Sequence, residues 1–263
     1  MPTPETFAGS STLLWLRTDR GREVARAYWA GPHGALVAGT PGMREYRQHH
    51  HALASPGRWP DTDGVETRIP EARRVDGMPE VTFLRPWSPL LGGGHFRKVH
   101  ADEQNVFART TMYMTTLGGA RWFRSGDGAE VGARAVVLLR RRGDASGRAF
   151  RRLVHEAIGP ALDEADGTSE LRTQTFLPYH PIFWNTPNVA HDNPPEARFH
   201  AAIVVGARDE RALHGALTAA GTRHAAAVRS LCAAVHAYDV METYVYRRAG
   251  APVVPPLVWS PRG

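Results

Sequence analysis

Two stretches of this chain share one pattern, and any fold must accommodate both copies. TLLWLR at 12–17 leads into AYWAGPHGALVAG, and AVVLLRRR at 135–142 leads into AFRRLVHEAIGPAL, which sets Phe150 over Tyr28 and His155 over His33. The first copy continues in a recognisable order. TLLWLR has the composition and length of a buried strand. In REVARAYWAGPHGALVAG, Val24, Ala27, Tyr28, Gly31 and Ala35 fall at helical spacing, and Gly39, Pro41 and Gly42 stop the helix. Pro32 has no amide for the carbonyl of Tyr28, so the helix should kink or restart beside His33.

MREYRQHHHA then reads as a polar strand, and a Pro/Gly-rich loop runs from about Ser55 to Gly64. PEVTFLRP at 79–86 is a further strand, LGGGHFRKV a mobile flap, 101–117 a helix, and ARWFR at 120–124 a closing strand. SELRTQTFLPYHPIFW, RFHAAIVV, a helix over about 209–220 and VHAYDVMETYVYRR supply the same order in the second copy.

That order, βαββαβ, is the ferredoxin-like split motif, an antiparallel sheet with both helices on one side. The bare face of each sheet needs a partner, and a duplicated unit provides one within the chain. The expected fold is α+β: two ferredoxin-like units in tandem, residues 1–130 and 131–263, forming a dimeric α+β barrel inside one polypeptide. The boundary falls in the connector GDGAEVGAR at 126–134. The space between the two sheets is the expected pocket. Such a chain is a monomer by internal pseudo-dimerisation, or pairs again as a homodimer.

Composition excludes several classes. At 263 residues, 42% hydrophobic and 22% charged, the chain can bury a core without staples. No run approaches the roughly 18 to 20 apolar residues of a membrane span, and MPTPETFAGS lacks the features of an export signal, so the reading is cytoplasmic with no membrane partner. The lone Cys232 between Leu231 and Ala233 is expected to be a buried thiol. The formal charge of +6 comes from arginine, Lys98 being the one lysine among 32 basic residues. Arginine is scattered among acids rather than set in a basic stripe, so no nucleic-acid partner is expected.

Histidine carries the chemistry that remains. Trp29 and His33 share a helix face, and imidazole exchanges protons near neutral pH, which makes His33 the first candidate base. The alternative is that His33 bonds the backbone freed by Pro32, and its repetition as His155 fits an architectural role. In the strand REYRQHHHA, Tyr46, Gln48 and His50 form one row, and Glu45, Arg47, His49 and His51 the other. Polar rows are costly if dry and unpaired, so the Tyr46 row faces either a solvated cavity or an exposed edge. In the cavity reading His50 is a second acid/base group, and Tyr46 and Gln48 hold an oxygen of the ligand. His49 and His51, roughly 6.5 Å apart on one face, would need a third ligand to hold a metal, and no motif supplies one. No metal and no cofactor is assigned. Trp15, Tyr28 and Trp29 are expected as apolar walls, and the aromatic run FLPYHPIFWNTPN, with Phe183 and Trp184, as a lid or as packing between halves.

YWAGPHGALV followed by PGMREYRQHH resembles the EthD family of small dimeric α+β barrel proteins, as does VDGMPEVTFLR, in which a strand follows an Asp-Gly pair. The likeness covers most of residues 12–124, while the second half keeps His155 but has no counterpart to the run from Tyr46 to His50. It implies a small-molecule pocket. Relatives in that family include cyclases, dehydratases, decarboxylases and cofactor-free monooxygenases, so the likeness does not choose a reaction. The expected activity is cofactor-independent proton transfer (cyclisation, dehydration or decarboxylation) on an aromatic or polyketide-like molecule of bacterial specialised metabolism. The alternatives are a noncatalytic binding or delivery protein and a cofactor-free monooxygenase.

Overall fold

Antiparallel pairing draws eight strands into one closed barrel. The computed structural model describes residues 3–125 and 130–261, without the side chains of Pro89, Ser125 and Phe183. The chain runs through β1 (Glu5–Phe7), β2 (Gly9–Leu16), α1 (Arg22–Tyr28), a wide π-helical turn (Trp29–His33), α2 (Gly34–Ala38), β3 (Met43–His51), β4 (Gly77–Phe83), α3 (Gly93–Glu103) and β5 (Phe107–Ser125). There follow β6 (Ala133–Arg141), α4 (Gly147–Arg152), a second π-helical turn (Leu153–Ile158), α5 (Gly159–Asp163), β7 (Thr168–Phe176), β8 (Ala201–Ala207), α6 (Glu210–Arg223), α7 (Ala225–Leu231), β9 (Cys232–Arg248) and β10 (Ala251–Trp259). Residues 126–129, most of the expected inter-half connector, lie outside the described residues.

The strands lie in the order β5-β2-β4-β3-β9-β6-β8-β7, and β7 pairs back onto β5. Eight strands therefore close, with seams at β3–β9 and β5–β7, and closure removes the exposed edges that an open sheet presents. β1 adds to β5 and β10 to β9 outside the closed path. Neither belongs to the repeat: residues 5–7 precede the first expected strand, and β10 follows the last.

Strand periodicity sorts the side chains. On β2, Leu13 and Trp15 turn into the barrel, and Leu14 and Leu16 turn out toward the first-half helices. The barrel interior is mostly occupied, and what remains of the pocket expected between the two sheets is a cavity of about 170 Å³ lined by Leu13, Trp15, Tyr113 and Phe199 among others. Part of the interior holds three arginines and three glutamates: Arg47 and Arg134 reach Glu170 at 3.0 and 2.6 Å, and Arg172 reaches Glu80 at 3.2 Å and Glu45 at 3.5 Å. Gln174 donates to Glu80 at 2.7 Å and accepts from Ser11 at 2.8 Å. Burial pushes the Glu80 and Glu170 carboxyls up, but the surrounding guanidinium groups outweigh it and hold both at about 2. A layer including Leu13, Met78, Tyr113, Leu138, Phe199 and Tyr238 fills the adjoining space.

The Glu45 row of β3 is thus neither an edge nor a wet wall. Its charges are buried and paired inside the barrel. His49 sets Nδ1 3.1 Å from the Thr243 hydroxyl, and His51 sets Nδ1 3.1 Å from the Val75 carbonyl and stacks on Tyr238. Among the described residues no group of three or more His, Cys, Asp or Glu is placed to hold a metal ion. No helix among them is long and apolar enough to cross a membrane. Cys232 lies in the core between the second-half sheet and its helices, where burial pushes its thiol up to about 12.

The break expected at Pro32 is real but takes a different form. The helix neither stops nor restarts; one π-helical turn absorbs the missing amide, and α2 continues from it. The helix expected over 101–117 is a larger correction. α3 begins at Gly93 and ends at Glu103, and the residues from Phe107 onward are the longest strand of the first half. Thr110, Thr111, Thr115 and Thr116 favour extended backbone, and Met112 and Met114 alternate with Thr111 and Tyr113 at a period of two. The glycine run opens α3 instead of forming a flap, and His95 Nε2 lies 2.8 Å from the Leu36 carbonyl, tying α3 to α2.

Candidate active site

A cavity of about 520 Å³ lies on the outer face of the first-half sheet, roofed by the π-helical turn at Trp29–His33, α2 and α3. Its sheet side is mostly apolar, with Leu14 from β2, Val81 and Phe83 from β4, and Met112 and Met114 from β5, beside Ser10 and Thr12 of β2. Trp29, Phe96 and Phe107 continue the wall, and Trp87 and Leu90, both exposed, form the rim. Mostly apolar walls with a few convergent polar groups are the usual make-up of a small-molecule site.

His33 is one of those groups. It is buried at the end of the π-helical turn, lines the cavity, and sets Nδ1 2.8 Å from Asp102 Oδ2. The bond from His33 holds the Asp102 carboxyl below its ordinary range, so Asp102 is a carboxylate. It must therefore accept, so His33 Nδ1 carries the proton of this bond, and in the neutral ring Nε2 is the nitrogen with the free lone pair. Tyr28 O–H and Asn105 N–H also donate to Asp102, at 2.7 and 3.2 Å. Tyr28, expected as a wall, thus orients the carboxylate from outside the cavity lining.

The Tyr46 row faces the helices, as alternation requires, but its members stand at different depths. Tyr46 lines the cavity; Gln48 and His50 do not. Gln48 donates from Nε2 to the Tyr46 phenol oxygen at 2.7 Å and to the Trp29 carbonyl at 3.1 Å, and accepts from His50 Nε2 at 3.1 Å. With the phenol oxygen accepting from Gln48, its own O–H can turn to the cavity. His50 lies flat on Trp29, with ring centroids 3.8 Å apart, so the indole stands between it and the cavity side. Burial depresses its basicity well below the ordinary histidine range. The structure therefore sets His50 and His33 in different places: one backs the aromatic wall, the other forms part of it.

Local sequence explains this wall. A Cβ at Gly77 would meet the Trp29 indole, and one at Gly34 would meet the Tyr246 ring, so only glycine allows both aromatics to close in. The Asp-Gly pair at 76–77 has two uses: Asp76 Oδ2 accepts the Leu16 amide at 2.8 Å, and Gly77 makes room for Trp29.

Sequence reasoning missed Glu103 and His100. Phe96, Val99, His100 and Glu103 all line the cavity from α3, at the spacing of one helical face. A helix placed over 93–103 instead of 101–117 would have revealed them. Glu103 is almost wholly buried and accepts from Trp184 Nε1 at 2.8 Å and Thr186 Oγ1 at 2.6 Å. Burial drives its carboxyl up to about 7. His100 meets Trp184 edge-on at 4.3 Å, and its Nε2 is buried without a partner.

Trp184 reaches this cavity from the second half, and its aromatic run also packs between the halves through Tyr179 on Tyr113. The Phe183 side chain lies outside the described residues. Trp15 faces the barrel interior and lines a different, smaller cavity. In the second half, His155 has Nδ1 2.8 Å from the Thr173 hydroxyl and Nε2 2.9 Å from that of Thr175, leaving neither nitrogen free. Burial lowers it to about 3.

No family model and no curated protein matches the chain in sequence, so the EthD likeness has no family match behind it. Similarity to solved structures is one of fold. An anthrone oxidase-like protein is 11% identical with a TM-score of 0.53, the alignment covering 96% of this chain and 98% of that one. A candidate monooxygenase from Lactobacillus acidophilus NCFM is 9% identical with a TM-score of 0.54, covering 96% of this chain and 100% of that one. One from Fusobacterium nucleatum is 7% identical with a TM-score of 0.54, covering 95% and 97%.

Proposed function

We propose that this chain is an enzyme that binds a flat, mostly apolar aromatic or polyketide-like molecule and moves a proton on it. The observation that carries this reading is the pairing of His33 with the Asp102 carboxylate at the wall of an aromatic cavity. His33 Nε2 takes a proton from an acidic C–H or a phenol, and Asp102 stabilises the imidazolium that results. Negative charge then collects on a ligand oxygen, where the Tyr46 hydroxyl donates. Glu103, protonated below a pH of about 7, returns a proton to the product. Cyclisation and dehydration can begin from that anion; in decarboxylation the anion forms instead as CO2 leaves with cleavage of its C–C bond, and Glu103 protonates the carbon left behind.

A second reading is favoured by the fold shared with the anthrone oxidase-like protein and the candidate monooxygenases. Here the same carbanion meets dioxygen: a CH2 group becomes C=O, O2 supplies the oxygen, and one water leaves. A binding or delivery protein needs the cavity and can use Glu103 as the anchor of Trp184, but has no use for a carboxylate-oriented imidazole at the cavity wall. The same view takes residues 1–130 and 131–263 as two ferredoxin-like halves of an internal dimeric α+β barrel, supported by the matching strand orders β5-β2-β4-β3 and β9-β6-β8-β7.

Mass spectrometry of small molecules carried through purification identifies ligands to offer as substrates. Turnover with a bell-shaped pH profile, equal in air and under nitrogen, is the result expected for proton transfer. Turnover only in air, with one oxygen atom from O2 in the product, would select the oxygenase. A ligand recovered unchanged under both atmospheres would sink both in favour of the binder.

A further inference from the structure

The floor of the large cavity carries two hydroxyls that the protein does not use itself. Ser10 and Thr12 lie two apart on β2, so both turn to the cavity with Leu14, while Ser11 turns inward to Gln174. Neither side chain has a hydrogen-bond partner among the described residues, and neither oxygen is closed off from water. β2 runs between β5 and β4 in this floor, with Met114 opposite Ser10 and Met112 opposite Thr12 on one side, and Val81 opposite Ser10 on the other. The pair therefore forms two polar points in an apolar surround, with Cβ atoms roughly 6.5 Å apart. A hydrocarbon that covers them strips their water and leaves both unmet, a penalty that a ligand with oxygens at those points escapes. Tyr46 stands in the row of Ser10 but two strands away, beyond Val81, so the oxygen it holds is a different one.

We propose that Ser10 and Thr12 read two ring oxygens, and that the substrate class is a flat aromatic molecule oxygenated on alternate ring carbons. This rests on the reading of the cavity as a substrate site and narrows it from aromatic molecules in general. A hydroxyl both donates and accepts, so each position takes a phenol or a carbonyl oxygen. The spacing chooses the pattern. Oxygens on neighbouring carbons bond to one another and lie too close to serve residues two apart on a strand, and oxygens across a ring point in opposite directions. A meta pair presents both on one edge. The oxygen held by Tyr46 then belongs to the opposite side of the molecule.

Naphthalene-1,3-diol and its isomer naphthalene-2,3-diol are suitable probes, because they differ in oxygen pattern and in little else. Titration calorimetry under nitrogen should show the parent chain binding the 1,3-diol about tenfold or more tightly than the 2,3-diol. Ser10→Ala combined with Thr12→Val removes both hydroxyls at nearly constant volume and should bring the two affinities within about twofold. Thr12→Ser keeps the hydroxyl and should keep the preference, which separates loss of an oxygen from loss of packing. Equal affinities in the parent chain, no binding of the 1,3-diol, or a preference that survives in the double variant would overturn the proposal. Affinity is read without turnover, so the two claims fail separately. A preference that holds in a chain with no turnover supports the β2 pair and counts against proton transfer; turnover without the preference does the reverse.

Discussion

Trp184 of the second half donates its indole N–H to Glu103 of the first, with 2.8 Å between Nε1 and Oε1. One carboxyl group therefore serves both as a polar group of the cavity and as the anchor of the segment that crosses from the other half. Its partners, Trp184 and Thr186, offset only part of the cost of burying it, which is why it holds a proton up to about pH 7.

That raised value makes stability depend on pH in a stated direction. The folded chain binds the Glu103 proton more tightly than the unfolded chain does, so there is no penalty below the ordinary value near 4.5. The penalty grows as pH rises and is complete above about 7, where it reaches roughly 3 kcal/mol. Buried histidines such as His155 add stability as pH rises from 5 to 8, so the Glu103 effect is read as a difference: urea denaturation should show the parent losing roughly 3 kcal/mol relative to Glu103→Gln across that range. A slope identical in the variant would assign the effect to other groups.

The imidazole pair predicts graded losses of turnover. His33→Ala should lower kcat by about a hundredfold or more, as expected for loss of a general base. Asp102→Asn keeps a hydrogen-bonding partner but removes the charge that stabilises the imidazolium, and should cost about tenfold or more. If kcat is unmoved in both variants, His33 is not the base.

His50 should behave differently. His50→Ala removes a fully buried ring stacked on Trp29 and should destabilise the chain by about 2 to 4 kcal/mol. Any activity loss should fall mainly on KM, through the loosened Trp29 wall, with the pH dependence of kcat unchanged. A shifted pH profile in this variant would mean that His50 handles a proton after all.

Inside the barrel, Arg172→Met strands Glu45, Glu80 and Glu170 with too few cations and should cost about 3 to 5 kcal/mol at neutral pH. The acid side follows from the depressed carboxyls. Glu80 and Glu170 contribute stability above their ordinary value near 4.5, and it is lost as pH falls toward about 2. The parent chain should therefore weaken steeply in that window, and the variant less so, because its carboxyls titrate nearer their ordinary value. Scanning calorimetry from pH 5 to pH 2 separates the two.

Much of this was legible along the chain because it is local. The alternation in REYRQHHHA sorts its side chains onto two faces whatever lies opposite, and Tyr46 and Glu45 do turn opposite ways. Pro32 perturbs its helix whatever surrounds it. Helix and strand competed at 101–117 because Val106, Phe107, Met112 and Met114 fit either period when the true helix end at Glu103 is overlooked.

The two copies of the pattern, the polar and apolar rows of each strand and the histidine beside the helix break all follow from spacing and stereochemistry between near neighbours. Which sheet face keeps an open space does not, because it depends on side chains brought together from distant parts of the chain. Arginines from β3, β6 and β7 close the interior around three glutamates, while Gly77 and Trp29, far apart in sequence, shape the cavity outside it. His50 and His33 look alike on paper, and packing alone sets one behind an indole and the other against a carboxylate.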